Sequence, residues 1–568
     1  MTRFLFILFS LFISFLSAQS LKHELRAVWL STAGGDWPKT TDVAEQQRSL
    51  IEIFDMLRRN NFNTVFLQVR PRGNVLYRST HEPWISQLTG VIGKDPGYDP
   101  LAFAIEEAHK RGLDLHAWFN VTKVWGSDLL PSNLQHVTRA HRDWVKHFEN
   151  EWWLDMGIPA AREYTEDLVK ELVRAYDIDG IHFDYIRYPS DKFEDWGSFT
   201  QFGEGVERAE WRRNNITMFV RNVHGFIQSE KPWIKIGSAP LGIYQSINGA
   251  QSSFNGYSGV FQDSRRWLRE GIHDYLTPQV YWTIGEQKNP NDPDFFALSN
   301  DWTRENYQRH IYIGIGAYRE NIQSEIREQI RITREEGAQG QAFFRFDNLF
   351  SFLDRLGEAY RSPALVPPMV WKDSIPPNAP IDITVSVDQG GTTIRWKNPS
   401  PAADTEKPFR YIVYRSLAKK IDTRRGENVI AVLPASEFFF RDETTAGSIY
   451  FYTVVSVDRA GNESGEPVTT ISEIQRLLAR YEKPRTEISM LQNPANGRTY
   501  VSYELPQKMF VTLSVRHGSD TRESLVVNET KEAGIHIVSI DTKDLPSGII
   551  EYRLKAGDST IVRSMEKK

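Results

Sequence analysis

The sequence predicts a (β/α)8 barrel followed by two small all-β sandwich domains. Between residue 25 and about residue 360, eight strand-like apolar runs alternate with amphipathic helical stretches, over a length typical of such barrels. No glycine-rich phosphate-binding turn follows the first strand, which disfavours a dinucleotide-binding sheet. After a proline-rich break, the pattern changes to short alternating strands.

The barrel elements follow one another in order along the chain. The predicted strands are RAVWLST, NTVFLQVRP, LDLHAWFNV, DGIHFDYI, IKIGSAP, DYLTPQVYW, HIYIGIGAY and GQAFFRFD. Apolar residues at helical spacing, such as Leu168, Leu172 and Val173, predict the helices between them. These helices are expected near residues 45–60, 100–111, 160–176, 210–229, 262–270 and 324–336.

The segment SPALVPPMVWKDSIPPNAP is a predicted linker, because its prolines end helix formation. Beyond it, TTIRWKNP, FRYIVYRS and SIYFYTVVSVDRAGNES have strand-like alternation. This region resembles a fibronectin type III domain, with Trp396 as the early core tryptophan. We place the barrel domain at 19–370 and this second domain at 376–475.

The last segment, 484–568, is again composed of short predicted strands. It resembles the C-terminal sorting domain of type IX secretion substrates through Asn493-Pro494, Leu505-Pro506, Gly534 and Leu545-Pro546-Ser547-Gly548. The usual D-x-x-G turn is replaced here by His517-Gly518-Ser519. The resemblance implies the type IX secretion machinery as a partner, and a plain β-sandwich accessory domain is the alternative.

The N-terminus, MTRFLFILFSLFISFLSAQS, predicts a signal peptide at 1–18 that is cleaved after Ala18. Its apolar stretch is short for a membrane span, and an uncleaved N-terminal anchor is the alternative. The protein is therefore expected to be exported to the cell surface or the medium, with the periplasm as the alternative.

Composition excludes several classes of protein. The chain has no cysteine, which removes disulfides, thiolate metal sites, a cysteine nucleophile and a lipid-modified N-terminal cysteine. The net charge of -5 and the lack of a basic run argue against a nucleic-acid partner. Small or neutral polar ligands fit better, and no metal or cofactor is expected.

Strand alternation predicts a polar barrel interior near the C-terminal ends of the strands, where barrel active sites lie. In DGIHFDYI, the apolar set Ile181, Phe183 and Tyr185 is expected to face the helices, so His182 and Asp184 face inward. The same test assigns inward positions on four further strands to Gln68, Arg70, His116, Trp118, Asn120, Thr277, Gln279, Tyr281, Arg345 and Asp347.

Tryptophans add a second indication of function, because fifteen of the sixteen lie before residue 372. Flat apolar rings beside hydrogen-bonding groups suit sugar rings, which have an apolar face and a rim of hydroxyls. Several of these tryptophans follow predicted strands and are candidates for stacking: Trp37, Trp84, Trp125, Trp152, Trp153, Trp196 and Trp282.

The motifs ELRAVWLST, FNTVFLQVRPRGNVLYRS, YDPLAFAIEEAHKRGLDLHAWFN, DGIHFDYIRYP and LTPQVYW together resemble the family-10-like glycosyl hydrolases. The resemblance implies a (β/α)8 barrel that hydrolyses glycosidic bonds, with peptidoglycan glycan strands lacking stem peptides as the substrate of one branch. Two departures are Met156, in place of the proline of LDPG, and Tyr185, where a second aspartate is often found.

Glycoside hydrolysis usually needs two carboxyl groups. We expect Asp184 to be the ionised member, held deprotonated by Arg187 and Arg70. Glu286, after the sixth strand, is the first candidate for the acid, and Asp155 and Asp347 are its rivals. The residues expected to bind the sugar are Asn120, His182, Gln279 and Tyr281, with Trp118 and Trp282 as stacking platforms.

Two other functions remain open at this point. Inward His116, His182 and Asp184 are residue types that bind zinc, which would suit a metal-dependent hydrolase or deacetylase. A carbohydrate-binding protein that has lost one carboxylate is the third possibility.

Overall fold

The computed structural model describes residues 21–203, 205–285, 292–388, 391–443, 450–465, 489–493, 498–505, 508–518, 523–532, 534–543, 545–557 and 559–567. The predicted signal peptide, Glu286, Pro494 and Pro506 lie outside the described residues. The chain divides into two compact units. The first comprises residues up to Ile375 together with Arg424–Pro434 and Val457–Asn462, and the second comprises the rest.

The first unit contains a parallel barrel. Its strands and those of a small insertion are β1 (Leu25–Leu30), β2 (Thr64–Arg70), β3 (Asp114–Asn120), β4 (Lys123–Trp125), β5 (Val145–Phe148), β6 (Glu151–Leu154), β7 (Gly180–Asp184), β8 (Lys235–Ser238), β9 (Tyr275–Leu276), β10 (Gln279–Val280), β11 (His310–Ile311), β12 (Ile313–Ile315) and β13 (Gly340–Phe343). The barrel sheet has the order β10-β12-β13-β1-β2-β3-β7-β8-β9-β11.

This order closes on itself, because β9 and β10 are halves of the sixth barrel strand and β11 and β12 are halves of the seventh. The carbonyls of Leu276 and Pro278 accept hydrogen bonds from Tyr312 and Gly314, both at 2.9 Å, so the pairing continues across the two interruptions. The eighth strand, β13, pairs in parallel with β1. The predicted (β/α)8 barrel is confirmed.

Helices separate the strands. They are α1 (Val43–Arg59), α2 (Pro100–Lys110), α3 (Val137–Ala140), α4 (Pro159–Ala175), α5 (Trp196–Phe202), α6 (Arg208–Glu230), α7 (Ser264–Arg269), α8 (Phe295–Arg304), α9 (Glu320–Glu335) and α10 (Leu353–Ala359). Local chemistry sets their starts: Asp42 and Asp99 cap α1 and α2 by accepting N–H groups of the first turn. No helix among the described residues is long and apolar enough to cross a bilayer.

Sequence periodicity did not predict α8, α10 or the insertion after β3. Both helices are short, so each has only a narrow apolar face to reveal it. The insertion is a three-stranded sheet of order β4-β6-β5, in which the pairs β4–β6 and β5–β6 are antiparallel. Each of its strands has only three or four residues, too few for a clear alternation.

The lower interior of the barrel is a packed aromatic core. Phe66 stacks on His182 with ring centroids 4.0 Å apart, and Trp29 contacts both rings edge-on. Val28, Leu30, Val65 and Leu67 belong to the cluster on the other side of the strands, with the helices. The interior is therefore filled below, and a cavity exists only towards the C-terminal ends of the strands.

The strands after Ile375 are β14 (Ile381–Asp388), β15 (Gly391–Lys397), β16 (Arg410–Ser416), β17 (Val429–Pro434), β18 (Phe439–Asp442), β19 (Phe451–Val457), β20 (Ser489–Asn493), β21 (Arg498–Leu505), β22 (Met509–His517), β23 (Ser524–Lys531), β24 (Gly534–Asp541), β25 (Gly548–Ala556) and β26 (Ser559–Lys567). They form four small sheets, β14-β15-β18, β17-β16-β19, β20-β21-β24 and β23-β22-β25-β26. Trp396 of β15 is buried. The domain boundaries drawn from the sequence stay predictions.

Candidate active site

A cavity of about 400 Å³ opens at the C-terminal ends of the barrel strands. Its charged lining residues are Arg72, Lys123, Asp184 and Arg187, and its polar ones are Ser31, Gln68, Asn120 and Gln279. Aromatic rings complete the wall: Trp29, Trp118, Tyr185, Tyr281, Tyr318 and Phe344. A concave site with aromatic faces and a few convergent polar groups is typical of a small-molecule or sugar site.

Asp184 is the single carboxylate among the described residues that line this cavity. It is the last residue of β7, and its Oδ1 accepts the Tyr185 backbone N–H at 2.7 Å and the Gln279 amide at 3.5 Å. Neither of these two donors bonds Oδ2, and the indole of Trp118 also lies close enough to act on the carboxylate.

Burial raises the pKa of Asp184 to about 6. The Tyr185 N–H, the charge of Arg187 and the indole of Trp118 each act to lower it, but the loss of hydration outweighs them. Arg187 therefore acts in the predicted direction, but the net pKa lies above the ordinary value of a carboxyl because burial outweighs its charge. A carboxyl with this pKa gains and loses a proton near neutral pH, as general acid–base catalysis requires.

Tyr185 lines the cavity beside Asp184, although alternation assigned it to the helix-facing side. Its φ of 47° takes the backbone out of the extended conformation, so alternation ends at the last residue of β7. Arg187 and Lys123 lie over its ring, 5.2 and 5.0 Å from the centroid. The end of the strand therefore presents two consecutive side chains to the cavity.

One wall of the cavity is held rigid by a hydrogen-bond network around Gln68. The Gln68 amide oxygen accepts from Ser31 Oγ at 3.0 Å, Ala33 N at 2.9 Å and Thr32 Oγ1 at 3.3 Å. Buried Asp36 accepts the Ser31 N–H at 2.8 Å, which fixes the loop after β1. With its oxygen saturated, Gln68 keeps its amide NH2 as the group able to bind a ligand.

Two buried polar atoms on the neighbouring strand β3, Trp118 Nε1 and Asn120 Oδ1, form no hydrogen bond of ordinary geometry within the described residues. Asn120 is anchored through its other amide atom, which donates to Pro71 O at 2.7 Å. Unsatisfied buried donors and acceptors are costly, and a ligand that pairs them recovers that free energy. These atoms are therefore suited to sugar hydroxyls or amides.

Aromatic rings form the remaining face. Tyr281 stacks on Phe344 with centroids 5.7 Å apart at 26°, and Tyr318 meets both rings edge-on. The rings of Tyr281 and Phe344 are thus parallel enough to offer a continuous apolar surface to a sugar face.

Arg70 does not reach Asp184. The register of β2 against β3 shifts after Gln68, so that Arg70 pairs with Phe119 and its side chain leaves the inward face. Its guanidinium instead binds Glu82 through Nε at 2.8 Å and through Nη2 at 2.5 Å, with both side chains fully buried. Arg70 is a structural residue beneath the wall, and Arg187 alone of the two predicted arginines lines the cavity.

Two of the three predicted partners of Asp184, Asp155 and Asp347, do not lie in the cavity wall. Asp347 follows the end of β13, in a 3-10 helix, and pairs with Lys39 at 2.8 Å. Asp155 is buried between Ser198 Oγ, at 2.6 Å, and the Gly157 N–H, at 3.0 Å. Alternation cannot apply to either residue, because neither belongs to a barrel strand. Glu286 lies outside the described residues.

The two inward histidines do not form a metal site with Asp184. His182 accepts the Trp29 indole N–H on Nε2 at 3.0 Å, and its Nδ1 lies 3.1 Å from the Tyr275 hydroxyl. His116 Nδ1 shares that hydroxyl at 2.7 Å. Burial lowers the pKa of both imidazoles, so they are neutral core residues below the cavity. His182 is therefore not a substrate-binding residue.

The structure brings Trp118, Asn120, Asp184, Arg187, Gln279 and Tyr281 together in the cavity wall, as the sequence predicted. Trp282 does not join them, since it packs into the helix-facing core, where Gln329 donates to its carbonyl. The reasoning from strands missed the residues just beyond strand ends, Arg72 after β2 and Lys123 after β3. A search of the loops after each strand, where barrel sites are built, would have found them.

Residues 24–331 match the sequence profile of the family described as Glycosyl hydrolase-like 10, which is more than half of the chain. The chain belongs to this glycosyl hydrolase-like family. Glycosyl hydrolase YngK of Bacillus subtilis (strain 168) is 33% identical over 493 residues, covering 80% of this chain and 95% of that protein. Glycosyl hydrolase DigH of Escherichia coli (strain K12) is 32% identical, covering 55% of this chain and 77% of that protein.

Among solved structures, this member of the glycosyl hydrolase-like 10 family is similar to the alpha-L-fucosidase isoenzyme 2 of Paenibacillus thiaminolyticus. The match has a TM-score of 0.42 and 12% identity, and covers 91% of this chain and 99% of that one. At this similarity the two sites cannot be compared residue by residue.

Proposed function

We propose that the protein is a glycoside hydrolase whose active site is the cavity around Asp184. One observation carries the proposal: a carboxyl with a pKa of about 6 faces oriented hydrogen-bonding groups and stacked aromatic rings, in a chain of a glycosyl hydrolase-like family. The Tyr281 and Phe344 rings receive the sugar face. The amide of Gln68, the oxygen of Asn120 and the indole N–H of Trp118 bind its polar groups.

In this proposal, Asp184 exchanges a proton with the glycosidic oxygen or with the attacking water through Oδ2. A second carboxyl is needed for hydrolysis by acid–base catalysis. Asp155 and Asp347 lie outside the cavity wall, so Glu286 is the proposed partner of Asp184.

The proposed substrate is a polysaccharide, with peptidoglycan glycan strands lacking stem peptides as the first choice. The proposed route to it is export by the signal peptide at 1–18, with the C-terminal strands acting as a signal for the type IX secretion machinery. Both proposals come from the sequence resemblances, together with a cavity of a size that suits one or two sugar units.

The test is hydrolysis of purified glycan strands by wild type, Asp184→Asn and Glu286→Gln. We expect each variant to lose about 10²- to 10⁴-fold in kcat, the usual effect of removing an acid–base group, and Asp184→Asn to retain glycan binding. Asp347→Asn is the matched control, because that carboxylate lies outside the cavity, and it should keep full activity. Full activity in Asp184→Asn would refute the proposed mechanism.

The competing functions give different results in the same assay. A wild-type protein that binds glycan strands but releases no fragments would be a binding protein, contrary to this proposal. Loss of activity after chelation, restored by added zinc, would indicate a metal-dependent hydrolase instead.

A further inference from the structure

The rim of the cavity carries more positive charge than a neutral sugar requires. Three cations line it, Arg72, Lys123 and Arg187, against the one carboxylate of Asp184. The whole chain has a net charge of -5, so this local excess opposes the overall balance. We call these three residues the cationic rim.

Neither arginine of the cationic rim forms an ion pair in the part of the chain that the structure describes, although the charges of Asp184 and Glu151 act on Arg187 from a longer distance. Arg187 donates to the Tyr188 carbonyl at 3.2 Å, and its guanidinium is otherwise surrounded by the rings of Tyr185, Trp153 and Phe254 at 5.2, 5.3 and 5.7 Å. Arg72 forms no ion pair within the same residues. Lys123, by contrast, is paired with Glu151.

Two of the three cations, Lys123 and Arg187, lie over the ring of Tyr185, and Arg72 lines the same cavity. The Tyr185 hydroxyl cannot neutralise these cations, because burial raises its pKa to about 12 and it therefore stays uncharged at physiological pH. Guanidinium groups bind carboxylates through paired, charge-assisted hydrogen bonds.

We propose that the cationic rim selects glycans that carry a free carboxylate on the sugar bound beside Asp184, with Arg72 and Arg187 as specificity-determining residues. This inference rests on the proposed function, because it assigns the substrate class of the same cavity. Two sources have this chemistry: the ring carboxylate of a uronic acid and the ether-linked lactyl carboxylate of a peptidoglycan strand whose stem peptide has been removed.

The decisive experiment is isothermal titration calorimetry of the full-length chain carrying Asp184→Asn. The ligands are stem-peptide-free peptidoglycan oligosaccharides and oligouronides, each compared with its own carboxyl-reduced form. We expect reduction to weaken binding roughly 10- to 100-fold for one of the two sources, the range of a hydrogen bond to a charged group. Whichever source shows the loss is the substrate class.

Added Arg72→Gln and Arg187→Gln substitutions should abolish this discrimination, whereas Arg331→Gln, an exposed arginine of α9, should leave it unchanged. Tyr185→Asp is a second variant that keeps the fold, because aspartate tolerates a positive φ. Its carboxylate would occupy the cationic rim and weaken binding of the acidic form selectively. Equal affinity for both forms of both ligands would overturn the inference, as would unchanged discrimination in the arginine variants.

This failure can be told apart from failure of the hydrolase proposal. If wild type cleaves the carboxyl-reduced glycan as well as the acidic one, the hydrolase proposal stands and the charge preference is wrong. If charge discrimination is measured but no glycan is cleaved, the charge preference stands and the hydrolase proposal is wrong.

Discussion

At the scale of single residues, the chemistry of the cavity depends on which effect prevails at Asp184. Arg187 and two hydrogen-bond donors favour the ionised carboxylate, but burial favours the neutral acid more strongly, and the pKa rises to about 6. The same result holds for buried Asp36, whose pKa also rises to about 6 beside Arg345. A nearby cation is thus insufficient to hold the pKa of a carboxyl at its ordinary value where burial removes much of its hydration.

The raised pKa of Asp184 makes a prediction about stability. Because ionisation is harder in the folded state, the fold carries almost no penalty below about pH 4, a penalty that grows between about pH 4 and 6, and a constant full penalty above pH 6. Asp184→Asn should therefore stabilise the barrel at pH 7.5 by at most about 3 kcal/mol and have little effect at pH 4. Urea unfolding at both pH values measures this. Destabilisation at pH 7.5 would contradict it.

Gln68 is predicted to act through its amide NH2. Gln68→Glu removes this donor from the cavity but keeps an oxygen for Ser31, Thr32 and Ala33, so the wall should stay in place. We expect kcat/KM to fall about 10- to 100-fold, the cost of one ligand hydrogen bond to a buried polar group, with the thermal midpoint nearly unchanged. Gln68→Leu, which breaks the network, is the comparison and should lower the thermal midpoint. An unaltered kcat/KM in Gln68→Glu would show that this amide does not contact substrate.

At the scale of elements, the barrel strands position the site as far as their regular geometry extends. Inside β3 and β7, alternation places Trp118, Asn120 and Asp184 in the cavity as expected. The strand β2 bulges after Gln68, and β7 ends at Asp184. Beyond each of these points, the next side chain no longer points to the side of the sheet that alternation predicts. The errors at Arg70 and Tyr185 lie at these positions.

The bulge in β2 creates a buried ion pair that should be sensitive to single substitutions. Glu82→Gln would leave Arg70 fully buried without its counter-charge, and we expect a loss of about 3–5 kcal/mol in the free energy of unfolding. The double variant Arg70→Met, Glu82→Leu should lose much less, because no unpaired charge remains. Denaturant unfolding of the three proteins gives the comparison. A single variant as stable as wild type would show that water reaches the pair.

At the scale of the whole molecule, the chain joins a barrel with a polar cavity to β-rich segments that contain no predicted catalytic group. The resemblances of these segments predict roles in spacing and delivery, and these roles stay predictions. Composition agrees with this division, since fifteen of the sixteen tryptophans precede residue 372.

This division predicts separable activity and export. In a host with type IX secretion, the chain ending at residue 483 should lose delivery across the outer membrane yet retain glycan hydrolysis in cell extracts. N-terminal sequencing of the delivered full-length protein should begin at Gln19. If the shortened chain were still delivered to the cell surface, the C-terminal segment would not be the sorting signal.

The sequence by itself determined the barrel and the inward position of Asp184, because hydrophobic periodicity and strand alternation are local properties that survive without knowledge of contacts. Its motifs indicated the family by resemblance. It also identified Trp118, Asn120, Gln279 and Tyr281 as cavity residues. Only the tertiary structure decided what surrounds Asp184. The bulge of β2 diverted Arg70, the positive φ of Tyr185 turned a second side chain inward, and Arg72 and Lys123, just beyond the ends of β2 and β3, reached the rim. Burial, charge and unpaired polar atoms are properties of the assembled wall, and no short stretch of sequence contains them.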